Sequence, residues 1–465
     1  MRKSLVALAL ACAFPAAFAQ SNLTVYGILD VGFEMLDAGS ESLTRLQGSG
    51  MWSGNRFGIR GSESLGAGYS AIFTLEGRFS LDTGSVTYNE SVFNCRLSGS
   101  TAAPVCPGVQ IVPGTAIATL PPTSPTYQAV LGGLNAVNQA ILQGNTTVNG
   151  AGALFDRQSY LGVVTPYGAL LAGRMYTPGY EILNKFNVMG DASALSFGQG
   201  YSIPAIRMNN ALQYRAELKG FSASLFYSFG GSELLRSERS TPPTDGDDMY
   251  GANLQYNTTN WGLGAGYNQN KVVPYATQVA GTPESKDGLE TINFGGWFGI
   301  SNFKFYAQYM KRKNDNPLLT PLDIQNLVIS TGGNVAAISA ALSGVQFQQF
   351  DVDGMRGLAG PIDAEAYHFG VSWQFSPAST LYGVFNYAKD TARSAWATQD
   401  AEVDHYGVAY QYAFSPRTSL YAVVAFMKNS DQGRLSPSSA GYTSGFATSF
   451  GTDTSAYQLG MRHTF

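Results

Sequence analysis

The sequence predicts an all-β fold, a transmembrane antiparallel β-barrel of about sixteen strands, and three observations carry that prediction. Apolar side chains recur at every second position in segment after segment, with small or polar residues between them. Very short turns alternate with long connections along the chain. After the first stretch, no segment supplies the roughly 18 consecutive apolar residues that a membrane helix needs, so strands must do any crossing. In lipid, only a closed barrel satisfies the backbone of a strand.

The opening MRKSLVALALACAFPAAFAQ has a basic start at Arg2 and Lys3, an apolar centre, and small residues at Ala17 and Ala19. It reads as a cleaved secretory signal over residues 1–19, leaving 20–465 as the barrel. A retained anchor is the weaker reading, because the apolar run is shorter than the roughly 20 residues that span a bilayer. A lipoprotein signal at Cys12 lacks the expected Leu three residues earlier. Removing two basic residues and no acidic one takes the formal charge from -4 to -6. That acidity excludes a nucleic-acid partner, whose footprint is clustered Lys and Arg.

Four strands show the alternation well. Leu23, Val25, Leu29, Val31 and Phe33 oppose Thr24, Asp30, Gly32 and Glu34, and Tyr367, Phe369, Val371, Trp373 and Phe375 oppose His368, Gly370, Ser372 and Gln374. Tyr406, Val408, Tyr410, Tyr412 and Phe414 oppose His405, Gly407, Ala409, Gln411 and Ala413, and Tyr457, Leu459, Met461 and Phe465 oppose Gln458, Gly460, Arg462 and Thr464. A soluble sandwich could alternate in the same way. The connections separate the two cases: turns at TPYG, NTTN, SPAS and SPRT are short, whereas segments near 36–53, 81–154, 176–206, 313–362 and 429–454 are long. Sorting of short turns to one end and long loops to the other is a property of outer-membrane barrels, with short periplasmic turns and long extracellular loops.

In this rhythm strands begin near Leu23, Gly54, Tyr69, Phe155, Gly168, Met208, Phe221, Asp248, Trp261, Gly288, Phe303, Ala364, Thr380, Glu402, Thr418 and Ser455. A barrel of this size encloses water, whereas about eight strands would be filled by side chains. Trp261, Tyr167, Trp373, Phe375, Tyr412 and Phe414, near strand ends, suit the interfacial girdles. Tyr127 to Leu142 and Pro321 to Leu342 could be helical caps within long loops. The barrel segment keeps two cysteines, Cys95 and Cys106, which read either as a disulfide stapling one loop or as two free thiols.

Several blocks together resemble the trimeric porins of Gram-negative bacteria, especially the betaproteobacterial type: LTVYGILDVGF, SGNRFGIRGSESLGAGYSAIFTLEGRF, FDRQSYLGVVTPYGALLAGRMYTPGYE, RMNNALQYR and the closing LGMRHTF. The resemblance spans nearly the whole mature chain, with longer loops between Ser80 and Phe155 and between Lys313 and Asp363. It implies an outer-membrane pore for passive diffusion of small hydrophilic solutes and ions, a homotrimer in outer-membrane lipid, and a third long loop, here about Tyr176 to Ile206, folded into the lumen. It further implies a constriction in which the loop acids Glu181 and Asp191 face Arg56, Arg157 and Arg207, with Glu76 as another lumen acid. The terminal Phe465 resembles the family's signal to the barrel-assembly machinery.

Strand phase agrees at several of these positions. Phe57 and Ile59 facing outward put Arg56 and Arg60 inside, and Met208, Leu212 and Tyr214 facing outward put Arg207 and Arg215 inside. Around Arg157 both faces are mixed. Arginine in a hydrated lumen costs little, whereas on the lipid face near the midplane it costs about 2 to 4 kcal/mol. Three wall arginines against two loop carboxylates predict mild anion preference. An enzyme reading has little to stand on, because the three histidines, His368, His405 and His463, lie in strands outside any nucleophile motif and without a close metal-ligand pair. No cofactor and no metal are expected. The competing reading is an adhesin or receptor barrel acting through its long loops.

Overall fold

The computed structural model describes residues 22–84 without 40–41, then 86, 96–97, 104–105, 109–111, 121 and 123–129. It continues through 154–198 without 191, and through 206–230, 248–272, 285–316, 345–347, 361–392, 399–431, 433, 435–437 and 451–465.

Strand β1 (Asn22–Asp37) is followed by β2 (Ser42–Gln47), β3 (Arg56–Gly66), β4 (Tyr69–Arg78), β5 (Gln158–Thr165) and β6 (Gly168–Tyr176). A helix, α1 (Pro178–Phe186), precedes β7 (Arg207–Leu218), β8 (Phe221–Ser228), β9 (Met249–Asn257), β10 (Trp261–Val272), β11 (Lys286–Ile300) and β12 (Phe303–Asn314). The chain ends with β13 (Ile362–Ser376), β14 (Ser379–Asp390), β15 (Ala401–Ala413), β16 (Thr418–Asn429) and β17 (Thr454–Thr464).

Each strand except β2 pairs antiparallel with its sequence neighbours, and β17 returns to β1 along Ile28↔Thr464 to Asp37↔Ser455, so sixteen strands close a ring. Among the described residues the sixteen-stranded ring itself has no free edge, which is what a barrel in hydrocarbon requires. The last residue completes the seam: Phe465 and Gly27 exchange backbone hydrogen bonds of 3.2 Å each. The predicted strand starts fall within three residues of those found, the largest differences being three residues at β5 and two at β3, β11 and β13. Strand β2 was outside the prediction. It pairs only with the upper half of β1, from Gly32↔Gln47 to Asp37↔Ser42, and folds the first long connection back on the wall.

Short turns gather at one end. Ala67 and Gly68, and Lys219 and Gly220, all have positive φ, the geometry of two-residue turns whose twist matches antiparallel strands. Outward side chains are apolar and solvent-facing in the isolated chain: Leu23 is 67% exposed, Leu161 64% and Leu225 64%. A water-soluble protein does not display a continuous belt of this kind, and lipid removes the conflict. Inward positions carry the buried polar residues Asp30, Glu34, Glu76, Gln213, Asn253, Asn293, Gln308, His368 and His405.

One predicted phase fails. Met208 does not share the outward face of Leu212 and Tyr214; it is buried with Leu171, Met175, Ala211, Phe226 and Met249. The ladder between β6 and β7 shifts register between Met208 and Ala211, where Asn210 has φ 48° and Gly173 has φ 138°. A bulge of this kind interrupts the alternation from which the phase was read.

Of the two helical stretches expected in loops, residues 125–129 are helical, while the remainder of 127–142 and all of 321–342 lie outside the described residues. Cys95 and Cys106 also lie outside them. Two long loops touch, with Val109–Ile111 pairing antiparallel with Val345–Phe347.

Candidate functional site: the lumen and its inward loop

Residues 177–190 and 192–198 run along the inner wall, beginning with α1. Thr177 caps the helix, its side-chain oxygen accepting from the Tyr180 N–H at 3.3 Å, and Pro178 occupies the first turn, where its missing N–H costs nothing. Glu181 in the first turn and Lys185 in the last complement the helix dipole. The wall beneath is shaped for the helix by lumen-facing glycines. A side chain at Gly264, Gly266 or Gly295 would run into Ile182 or Phe186.

Amide side chains on neighbouring strands then bind the helix backbone. Asn268 accepts from Gly179 N–H at 3.0 Å, Asn293 donates to Gly179 C=O at 2.8 Å, Asn253 donates to Pro178 C=O at 3.3 Å, and Gln308 donates to Leu183 C=O at 3.1 Å. Inward polar residues thus serve as anchors for loop backbone that would otherwise need water. Beyond the helix, Asn187 gathers the turn by donating to Ser196 at 2.8 Å and accepting from Met189 and Phe197 N–H at 3.3 Å each.

Two histidines tie this turn to the far wall. Val188 N–H donates to His368 Nε2 at 3.4 Å, and His405 Nε2 lies 2.8 Å from Ala194 C=O. Asn386 sits between the rings, its Oδ1 2.6 Å from His368 Nδ1 and its Nδ2 3.1 Å from His405 Nδ1. The first long connection also reaches the loop: Trp52 C=O accepts from Ala192 N–H at 3.4 Å. Asp30 fixes that connection, accepting from the N–H groups of Met51, Trp52 and Ser53 at 3.3, 3.0 and 2.8 Å and from the Tyr421 hydroxyl.

The expected site residues separate into two groups. Arg56, Arg157, Arg207 and Glu76 come together. Arg157 Nε donates to Glu76 Oε1 at 2.7 Å and its Nη2 to the Tyr176 hydroxyl at 2.8 Å; Arg207 donates to the same hydroxyl at 3.1 Å, with its guanidinium 4.6 Å from the ring centre. Tyr26 donates to the other Glu76 oxygen at 3.0 Å, and Arg56 acts on the same carboxylate through its charge. Glu181 stands apart. It bonds Arg215 and accepts from Asn253 at 2.7 Å, so its direct cation is Arg215 and not one of the three expected arginines. Burial pushes its carboxyl above the ordinary range, and the Arg215 charge opposes that rise. Asp191 lies outside the described residues.

Two further arginines enlarge the basic group. Arg78 is paired with Asp156, and Arg174 donates to Asp156 C=O at 2.6 Å and to Asn209 at 2.7 Å while sharing the field of Arg207. Arg78 could have been found, because it follows Glu76 at the same strand phase. Arg174 could not, because it comes directly after the irregular Gly173. Tyr176, which joins two arginines through one hydroxyl, carries no charge that a sequence reading would seek.

A closed sheet of sixteen strands, apolar outside and polar within, with a loop folded along its inner wall, defines a membrane-spanning barrel with a lined lumen. The chain belongs to the Gram-negative porins, whose family model matches residues 4–432. It is 24% identical over 476 residues to outer membrane porin protein 32 of Delftia acidovorans, covering all of both chains. It is 23% identical to an outer membrane porin protein of Bordetella pertussis, over 92% of this chain and 95% of that one. Among solved structures, an anion-selective porin from Comamonas acidovorans aligns at a TM-score of 0.58 with 18% identity, over 96% of this chain and all of the other, which shows the shared fold. The protein is thus a pore-former of the Gram-negative outer membrane.

Proposed function

We propose that the barrel admits small hydrophilic solutes and ions by passive diffusion, with mild anion preference, through a constriction between the arginine group and the inward loop. The observation that carries the preference is the local charge: Arg56, Arg78, Arg157, Arg174 and Arg207 share one region of the lumen, in which Asp156 is paired with Arg78 and Glu76 with Arg157. An excess of fixed cations in a narrow, partly desolvated passage raises the local concentration of anions. The anion-selective porin that shares this fold supports the same reading. Glu181, held by Arg215 and Asn253 apart from this group, balances a different part of the lumen wall.

The functional unit in this reading is a homotrimer in outer-membrane lipid, and the terminal Phe465 addresses the chain to the barrel-assembly machinery. Residues 1–19 act as the export signal. The protein carries out no chemistry. His368 and His405 hold a loop, and His463 bonds the Thr418 hydroxyl at 2.9 Å across the last two strands, a contact between wall residues.

Planar-bilayer recording under a salt gradient tests this. Stepwise conductance with a chloride-directed reversal potential is expected, and Arg56→Gln or Arg207→Gln should move that potential toward zero. A potassium-directed value in the unaltered protein would refute the preference. Absence of stepwise conductance would refute the pore and favour a receptor or adhesin barrel.

A further inference from the structure

On the inner wall beside α1 lies a cavity of about 300 Å³ that the basic group does not occupy. It sits in the pore, so any role for it in transit rests on passive diffusion through the barrel. Its lining brings together the paired charges Glu181 and Arg215 with two more, Lys185 from the last turn of α1 and Glu217 from β7. Lys185 and Glu217 have no ion-pair partner among the described residues. Ser224 lines the same cavity while only 3% exposed, and its hydroxyl oxygen is buried without a hydrogen-bond partner among the described residues. A buried hydroxyl left unmatched beside a cavity marks a place where a ligand atom can be received.

We infer that this cavity is a transit subsite for small zwitterionic solutes, such as free amino acids, bound through Lys185 at their carboxylate and Glu217 at their ammonium group.

The charge arrangement selects this class over its neighbours. A simple anion gains from Lys185 and loses to Glu217, and a simple cation does the reverse, so neither gains much. A neutral sugar finds hydroxyl and amide partners but no charge. A solute carrying both signs gains at both ends, and the space suits a molecule of amino-acid size. Both ionic groups are exposed, and exposed pairs contribute modestly. Such a weak site raises occupancy without trapping the solute, which is the condition for transport through binding.

Proteoliposome swelling with the full-length protein measures it. Rates are compared for a zwitterionic amino acid such as glutamine and for an uncharged polyol of similar size, with a neutral sugar as the control for an open pore. The unaltered protein should favour the amino acid by about two- to fivefold, the range that one exposed ionic contact corresponds to. Lys185→Gln and Glu217→Gln should each lower that ratio toward one while the sugar still passes, which shows the barrel folded and open. Ser224→Ala should lower it to a smaller degree. A ratio near one in the unaltered protein, or a ratio that neither charge substitution alters, overturns the subsite. Failure of every solute to pass, the sugar included, removes the pore reading instead, and the subsite with it.

Discussion

His368 and His405 hold the two ends of one carboxamide, that of Asn386. This fixes both tautomers. Asn386 Oδ1 can only accept, so His368 carries its proton on Nδ1 and offers Nε2 to Val188 N–H. Asn386 Nδ2 can only donate, so His405 accepts at Nδ1 and donates from Nε2 to Ala194 C=O. The relay runs from loop to wall to loop across β13, β14 and β15. Replacing Asn386 by Leu removes both inner bonds and leaves two buried imidazole nitrogens without those partners. A net loss of about 2 to 4 kcal/mol is expected from two such bonds, and the loop should become mobile. Single-channel traces should then show frequent sub-level fluctuations; traces as quiet as those of the unaltered protein would mean the relay does not hold the loop.

Much of this architecture could be read from the chain, and the unread parts have physical reasons. Strand positions were legible because lipid outside and water inside impose a two-residue period on each strand, as in Tyr406 to Phe414. The inward helix was less evident, although Thr177 and Pro178 mark its start, because its nine residues are anchored by Asn253, Asn268, Asn293 and Gln308 on distant strands. Partner choice was illegible for the same reason. Glu181 could have met any lumen arginine, and only the register of β7 decides that it meets Arg215. Strand β2 escaped notice because it pairs on one side only.

The glycines under α1 make a second prediction. At Gly295 an added side chain would enter the ring of Phe186. Gly295→Val should lift the helix from the wall, costing about 1 to 3 kcal/mol as an overpacked contact does. Because the helix is displaced into the lumen, single-channel conductance should fall. Equal or greater conductance would show that the helix is not seated on this wall.

Glu76 makes a third. It is the carboxylate that touches Arg157 directly, and Tyr26 holds its other oxygen. Glu76→Gln keeps the shape and removes the charge, so the arginine group loses the carboxylate paired with Arg157. Anion preference should rise, and the folded barrel should lose stability by about 3 kcal/mol, the lower end of what breaking a buried pair costs. The reversal potential and the temperature at which the compact gel band disappears check the two halves separately. A preference that falls would contradict the charge argument.

Asp30 makes a fourth, through the first connection. Its carboxylate gathers three consecutive N–H groups, from Met51 to Ser53, and this places Trp52 against the inward loop at Ala192. Asp30→Asn turns one of two acceptor oxygens into a donor that faces other donors. A loss of about 2 kcal/mol is expected, together with easier proteolysis near residue 52 in intact cells or vesicles. Cleavage no faster than in the unaltered protein would show that Asp30 does not fix the connection.

The membrane assignment itself can be tested at adjacent residues of β9. Leu254 points outward and is 55% exposed in the isolated chain, whereas Gln255 faces the lumen and lies half-buried. Both sit at nearly the same depth, so position along the strand cannot explain a difference between them. Leu254→Arg places a guanidinium in hydrocarbon and should destabilise the folded barrel by about 2 to 4 kcal/mol in a phospholipid bilayer. Gln255→Arg places the same group among water and polar side chains and should cost far less. Unfolding titrations in phospholipid vesicles give both values. If the two substitutions cost the same, or if the Gln255 variant is the weaker, then the apolar belt does not face lipid, since only contact with hydrocarbon distinguishes one side of this strand from the other.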